Sequence, residues 1–296
     1  MTRPTLAVFT KNRVNPAYDA ARLAADRVAT AAGARTLHYV PQTPDDVAQQ
    51  KALVAEALAL KPDGVLFNPA DDAAMAEDVA KIATAGIPVV TFINRVPGDI
   101  LTFVGSDDIK VGRTIAEALV ASLGGKGRIV ALDGTPSART ARDRTVGLEQ
   151  ALARHPGVEL VGSRIGYLQR APARAAMAEL LAAHPQIDGV WTANDVMAFG
   201  ALDALDAAGR RATVVGINGL PEAIENIEQG TMLASIDFSA FNIAAIAAAA
   251  MLRHLDGRPV PDEIMVPAEL IDRANCGRWK MPFEQRPIPA WDDFVR

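Results

Sequence analysis

The chain has little of what most catalytic and structural chemistries need. A single cysteine, Cys276, stands in 296 residues, which excludes an internal disulfide framework and any cysteine-rich metal site. The histidines are as sparse: His38, His155, His184 and His254 are scattered, no pair has metal-ligand spacing, and His155-Pro156 and His184-Pro185 read as turns at helix ends. No apolar run approaches the ~20 residues of a membrane span. The alanine-rich stretch from Ile243 to Leu252 reads instead as a buried or amphipathic helix. Basic charge is also short. With 30 Lys+Arg against 35 Asp+Glu, a net charge of -5 and no lysine or arginine cluster, a nucleic-acid partner is excluded.

Glycine is missing where phosphate loops need it. The first strand-to-helix turn, Thr10 to Pro16, contains none, so the dinucleotide fingerprint is absent. Gly124-Gly125-Lys126-Gly127 lacks the Ser/Thr after the lysine and precedes a strand, so it reads as a helix stop and turn. The lone serines have no nucleophile-elbow context. The chain therefore reads as a non-enzyme that carries neither cofactor nor metal.

What is present is one strand-and-helix pattern that runs twice. Half of the chain is hydrophobic, and 296 residues suffice for two domains with cores of their own. Helical and strand periods alternate almost without interruption, which predicts α/β architecture with parallel sheets. Strands are expected near 6–10, 35–40, 64–68, 88–93 and 103–105, with helices over 17–32, 44–60 and 72–85. The second run places strands near 128–133, 158–164, 189–193, 213–217 and 233–238, and helices over 109–122, 140–154, 172–183, 195–208 and 221–229. A final helix over 240–255 precedes a strand-like segment near 263–271, and the tail from Asn275 reads as an extended strap. Gly33 is placed to stop the first helix, and Asp71-Asp72 to cap the third. Gly105-Ser106-Asp107 joins the two runs without a linker, which suggests a short hinge.

Each run ends its apolar strands on a polar residue. Gly64 to Phe67 stops at Asn68, Val89 to Ile93 at Asn94-Arg95, Gly189 to Ala193 at Asn194-Asp195, and Val214 to Ile217 at Asn218. Open parallel sheets bind ligands beyond the carboxyl ends of their strands, where helix starts and short loops converge. Asn15-Pro16-Ala17-Tyr18 follows the first strand, with proline suited to a first helical turn. Arg139, Arg142 and Arg144 open a helix, where cations oppose the macrodipole, so at least one is expected to face a ligand or a carboxylate.

With these residues in place, the chain resembles the ribose-binding-protein branch of the periplasmic sugar-binding family, whose fold the lac-repressor effector domains share. The likeness covers residues 5–270. It rests on the Asn15 to Tyr18 turn, Asn68-Pro69, Asn94-Arg95, Ser137 to Gly147 with Arg142 at its middle, Asn194-Asp195 followed by Met197 and Gly200-Ala201-Leu202, and Val214 to Gly219. The resemblance implies two doubly wound parallel-sheet domains joined by a three-crossover hinge, with the ligand cleft between them. It implies lobes over 1–106 plus 240–266 and over 107–239 plus 267–296. Carried over by position, the ligand groups are Asn15, Tyr18, Asn68, Asn94, Arg95, Arg142, Tyr167, Asn194, Asn218 and Phe238; where Asp237-Phe238 stands the family usually has a glutamine.

The function so implied is capture of a small polar ligand (monosaccharide, polyol or sugar acid) by hinge closure, and delivery to the permease of an ABC importer by a monomeric protein. The alternative is the effector-binding domain of a lac-repressor-type regulator. Sugar binders of this branch commonly have Asp-Arg at Asn94-Arg95 and Asp at Asn218; replacing two anions by amides makes the implied pocket more positive and turns the expectation towards sugar acids. The start, Met1-Thr2-Arg3-Pro4, shows no charged-then-apolar leader. By the start alone the protein is either cytoplasmic or has had its signal removed, and the resemblance implies the second, a periplasmic location.

Overall fold

A computed structural model describes residues 3–295. By its internal contacts the chain divides into two units, one of 3–106, 239–266 and 282–295, the other of 107–238 and 267–281.

The first unit is built on strands β1 (Thr5–Phe9), β2 (Arg35–Tyr39), β3 (Gly64–Phe67), β4 (Val89–Phe92) and β5 (Thr102–Gly105), interleaved with helices α1 (Pro16–Ala31), α2 (Val47–Ala59) and α3 (Ala76–Thr84). Strands β1, β3, β4 and β5 are buried along their whole length, which is why they read as unbroken apolar runs rather than alternating ones. Phe9 is central to one face: its ring stacks on Tyr39 at 4.8 Å and tilts against Phe67 at 5.0 Å, within a cluster that includes Val54, Met75, Val79 and Ile82.

The second unit repeats the scheme. After α4 (Asp108–Ser122) come β6 (Gly127–Asp133), α5 (Arg139–Arg154), β7 (Val158–Ile165), α6 (Arg170–Ala183), β8 (Gly189–Thr192), α7 (Asp195–Ala207), β9 (Thr213–Val215), α8 (Pro221–Gln229) and β10 (Ala234–Asp237). The chain then adds α9 (Ala240–Leu255) and β11 (Glu263–Met265) to the first unit and β12 (Glu269–Asp272) to the second. The strand orders are β11-β5-β4-β3-β1-β2 and β12-β10-β9-β8-β6-β7. All neighbours run parallel except β10 and β12. Leaving out the two late strands, each sheet has the same doubly wound order, reversing direction between its first and third strands; this is the duplication seen in the sequence, now in topology.

Local chemistry sets most boundaries. Gly33 (φ 75°) follows the C-cap of α1, and Gly124 (φ 65°) and Gly125 (φ 75°) turn the chain after α4. His155 and His184 are the C-caps of α5 and α6. Asp71 accepts hydrogen bonds from the Ala73 and Ala74 amides at 2.9 and 2.8 Å, capping a turn that precedes α3, so the helix begins at Ala76 and not at 72. The alanine-rich α9 is buried on most sides. A side chain at Gly64 would meet Met251 Sδ at 2.3 Å, so small residues on both elements let α9 lie close against β3.

Two expectations are corrected. The segment 263–271 is not one strand but two, in different sheets, because Pro267 between them has no N–H to continue a ladder. The tail was expected with the second unit. Its 3-10 turn Cys276–Lys280 does belong there, with Trp279 Nε1 donating to Asp237 at 2.9 Å. Residues from Pro282 onward belong to the first unit, where Phe283 stacks on Phe241, Arg27 donates to the Arg286 carbonyl at 2.6 Å, and Arg253 lies 4.5 Å over Trp291. The chain thus passes between units once more, after the three passages expected.

Helices α4 and α5 approach closely because glycines face the partner backbone: a Cβ at Gly112 would lie 2.1 Å from the Arg144 carbonyl oxygen, and one at Gly147 2.2 Å from that of Ile109. Alanine gains about 1 kcal/mol of helix propensity over glycine, but overpacking against backbone costs about 1–3 kcal/mol. Gly112→Ala is therefore expected to lower stability in urea unfolding, with at most a slight loss if the helices can part.

Candidate functional site

Within each unit the polar residues singled out in the sequence stand at the carboxyl edge of the sheet. In the first unit, Asn68 follows β3 and Asn94 follows β4, both buried; Asn94 Nδ2 donates to Asn68 Oδ1 at 3.0 Å. Gln50 of α2 spans the chain around Asn68, donating to its carbonyl at 3.0 Å and accepting from the Ala70 amide at 2.7 Å. Asn68 Nδ2 is fully buried and has no hydrogen-bond partner among the described residues. Asn15 caps α1, its side chain accepting from the Ala17 amide at 3.0 Å, and Tyr18 lies buried one turn on. Arg22 steadies the preceding loop by donating to Thr10 Oγ1 at 2.6 Å.

Arg95 stands on the other side of β4 from Asn68. Its guanidinium pairs with Glu263 of β11 and lies 4.4 Å over the Phe103 ring. The acceptor that its place after a buried strand demands is therefore supplied within the unit.

In the second unit five adjacent strands each contribute one expected residue, in the order Phe238 (after β10), Asn218 (β9), Asn194 (β8), Arg142 (in α5, after β6) and Tyr167 (β7). Asn194 caps α7: its Oδ1 accepts from the Met197 amide at 2.8 Å and its Nδ2 donates to the Leu168 carbonyl at 3.1 Å. One donor and one acceptor position of the amide remain. Tyr167 is 49% exposed at a strained turn, with φ 54° followed by φ 59° at Leu168.

The three arginines that open α5 separate by environment. Arg139 pairs with Asp143 at 3.3 Å on the surface. Arg142 is exposed and donates to the Pro136 carbonyl at 2.9 Å. Arg144 is buried: it donates to Asp108 at 2.7 Å and to the Ala193 carbonyl at 2.9 Å, and stacks 5.0 Å from the Phe238 ring.

Backbone strain collects at these edges. Of the seven non-glycine residues with positive φ among the described residues, Asp45, Ile93, Tyr167, Leu168, Asn218 and Ser239 follow the carboxyl ends of strands, leaving Lys61 alone at the other end. Ile93 at φ 63° is the most costly, since a β-branched side chain crowds the left-handed region. By contrast a groove of about 1130 Å³ in the second unit lies at the amino ends of its strands. Two of its polar groups are bonded within the unit: Arg210 donates to the Leu181 carbonyl at 2.7 Å and Asp188 accepts from the Arg128 amide at 2.7 Å.

One group escaped the sequence reading, and a second was read only as part of a polar strand end. Lys11, directly after β1, is 1% exposed, and a lysine so deep needs a polar environment. Its signal was a cation at the end of an apolar strand, the same one that marked Arg95. Asp195 is completely buried, and burial pushes its carboxyl up to about 7 against the opposing pull of hydrogen bonds from Leu220, Ser235 and Gly219; Asp237 on β10 adds to the rise. Among the described residues no group of three or more His, Cys, Asp or Glu could hold a metal ion, and no helix is long and apolar enough to cross a membrane.

Comparison with known proteins fits this geometry. The family model for the periplasmic binding protein domain matches residues 6–259. The chain belongs to that family. It is 27% identical over 266 residues to the ribose import binding protein RbsB of Bacillus subtilis (strain 168), covering 90% of this chain and 85% of that one. It is 31% identical over 247 residues to a putative rhizopine-binding protein of Rhizobium meliloti, covering 80% of each. Among solved structures, an ABC transporter periplasmic solute binding protein from Actinobacillus succinogenes 130z with bound D-allose aligns at a TM-score of 0.88 and 27% identity, covering 93% of this chain and 100% of that one. All three are named as binding proteins, one of them for ribose import and one as part of an ABC transporter.

Two outcomes follow for the charged groups. Removing Arg144 breaks its buried pair with Asp108, and breaking a buried pair costs about 3–5 kcal/mol, so Arg144→Ala is expected to be strongly destabilised in denaturant unfolding while Arg142→Ala stays within about 0.5 kcal/mol of wild type. For Asp195 the folded pKa, about 7, stands above its ordinary 3.8. The folded state therefore holds the proton more tightly, and the associated stability is full below about pH 4 and lost as pH rises through 7. Urea unfolding of Asp195→Asn should show the variant gaining on wild type between those limits; a constant difference would contradict the shift.

Proposed function

We propose that this periplasmic binding protein captures a small polyhydroxylated ligand (a monosaccharide, polyol or sugar acid) and delivers it to the permease of an ABC importer, working in the periplasm as a monomer. The observation that carries this reading is the likeness of the two sheet edges. Each unit presents buried amides at the switch point of a doubly wound sheet, where ligands of such folds bind. Amides, which both donate and accept, suit hydroxyl groups. Asn15, Tyr18, Asn68, Asn94 and Arg95 would serve from the first unit, and Arg142, Tyr167, Asn194, Asn218 and Phe238 from the second. The relatives support the ligand class, being named for ribose import and rhizopine binding or solved with D-allose.

The mechanism is differential affinity. A ligand that touches both edges only when the hinge is shut draws the population towards the shut form. Micromolar affinity corresponds to about −8 kcal/mol, within reach of some ten polar contacts after ordering costs. Glu263 balances Arg95, Arg142 and Lys11 add positive charge at the strand ends, and the amides at Asn94 and Asn218 add no opposing charge.

A thermal-shift and calorimetric panel of D-ribose, D-allose, myo-inositol, D-gluconate and D-galacturonate tests the reading, because a ligand that binds only the folded state must raise the melting temperature. At least one is expected to bind, and Arg142→Ala to weaken it about tenfold or more, charged hydrogen bonds contributing about 1.5–3 kcal/mol. Tighter binding of the acids would assign the anion to Arg142. No binding by any member of the panel would overturn the reading.

A further inference from the structure

We infer that Asp195 and Ser235 form a buried clamp that positions the turn carrying Asn218, which makes both of them positioning residues for ligand binding; the ligand half of this statement rests on the solute-binding reading. The turn between β9 and α8 is held at its last three amides. Asn218 N–H donates to the Ile236 carbonyl at 2.8 Å, Gly219 N–H to Ser235 Oγ at 3.1 Å, and Leu220 N–H to Asp195 Oδ2 at 2.9 Å. Ser235 Oγ in turn donates to Asp195 Oδ1 at 2.7 Å, and the Asp195 amide donates to the Ile217 carbonyl at 2.7 Å. Two side chains with no exposed surface thus fasten the two amides that follow Asn218, and the main-chain amide of Asp195 fastens the Ile217 carbonyl before it.

The arrangement exceeds what the helix or the core requires. Asn194 already caps α7, so Asp195 is not needed for that purpose. An apolar residue would fill the space without the penalty of burying a carboxyl group. The chain even makes room for it: a Cβ at Gly216 would lie 2.3 Å from Asp195 Oδ1, so a glycine stands directly after β9 where the carboxyl sits. The object of the clamp is a strained backbone. Asn218 has φ 141°, a positive value that a non-glycine residue keeps only when its surroundings fix it, and Gly219 follows at φ 65°, which glycine adopts freely. The carboxyl, pushed up to about 7 by burial beside Asp237, keeps an acceptor for Leu220 whether ionised or neutral.

The test uses the full chain and two readouts. Without ligand, amide hydrogen exchange at Gly219 and Leu220 should quicken about tenfold or more in Ser235→Ala and Asp195→Ala while β8 keeps its protection. Asp195→Asn, which retains an acceptor, should restore most of the protection. Unchanged exchange at both amides in Ser235→Ala would overturn the clamp, and this variant decides the matter if Asp195→Ala does not fold. With D-ribose, D-allose or myo-inositol as probe, Ser235→Ala should weaken Kd about tenfold, and that effect should vanish in an Asn218→Ala background. An effect of the same size in that background would overturn the positioning role. Faster exchange with no probe bound by wild type would uphold the clamp and count against the solute-binding reading instead.

Discussion

A parallel sheet covered on both faces has nowhere to put chemistry except at the ends of its strands. Every strand from β1 to β5 apart from β2 is buried throughout, so the side chains within them are committed to packing. The constraint sends polar groups to the loops, and the doubly wound order sends the useful loops to one edge. Asn68, Asn94, Asn194 and Asn218 all lie one to three residues beyond a strand for this reason. The strained residues follow the same rule. Strain at Ile93 and Asn218 persists because buried strands on one side and fixed amides on the other leave the chain no cheaper path.

The edges are stiffer than a list of recognition residues suggests. Asn94 and Asn68 bond to each other, Gln50 fastens the chain on both sides of Asn68, and Asn194 spends half of its amide on a helix cap. Side chains held in this way have already lost most of their freedom, so any group that docked on them would have little further ordering cost to meet. The three arginines that open α5 show the division of labour: Arg144 gives up contact with solvent to hold Asp108 and the end of β8, and Arg142 stays exposed.

Most of the fold was legible because its signals are local and repeated. Apolar runs of four or five residues, ended by asparagine and followed by helical periods, marked the strands and their polar edges directly. What escaped depended on partners distant in sequence. Nothing near Arg95 announces Glu263, 168 residues away, and nothing near Asp195 announces Ser235, 40 residues on. The break at Pro267 was visible as a proline, but that it sends β11 and β12 to different sheets is a tertiary fact. The tail misled for the same reason: its rings at Phe283 and Trp291 find their partners on α9, which belongs to the first unit. Lys11 was missed although its position was informative.

The shared ownership of the last third of the chain also dictates an order of events during synthesis. Strands β6 to β10 lie in one stretch, 107–238, so most of the second unit emerges from a ribosome as a continuous piece. The first unit begins earlier and finishes later. Its sheet lacks an edge strand until β11 appears, and β3 stays uncovered at Gly64 until Met251 of α9 arrives. Domains ordinarily fold as units from the amino end during synthesis. Here the amino-terminal unit must wait, its apolar strands open to other chains and to chaperones, while the one made after it nears completion.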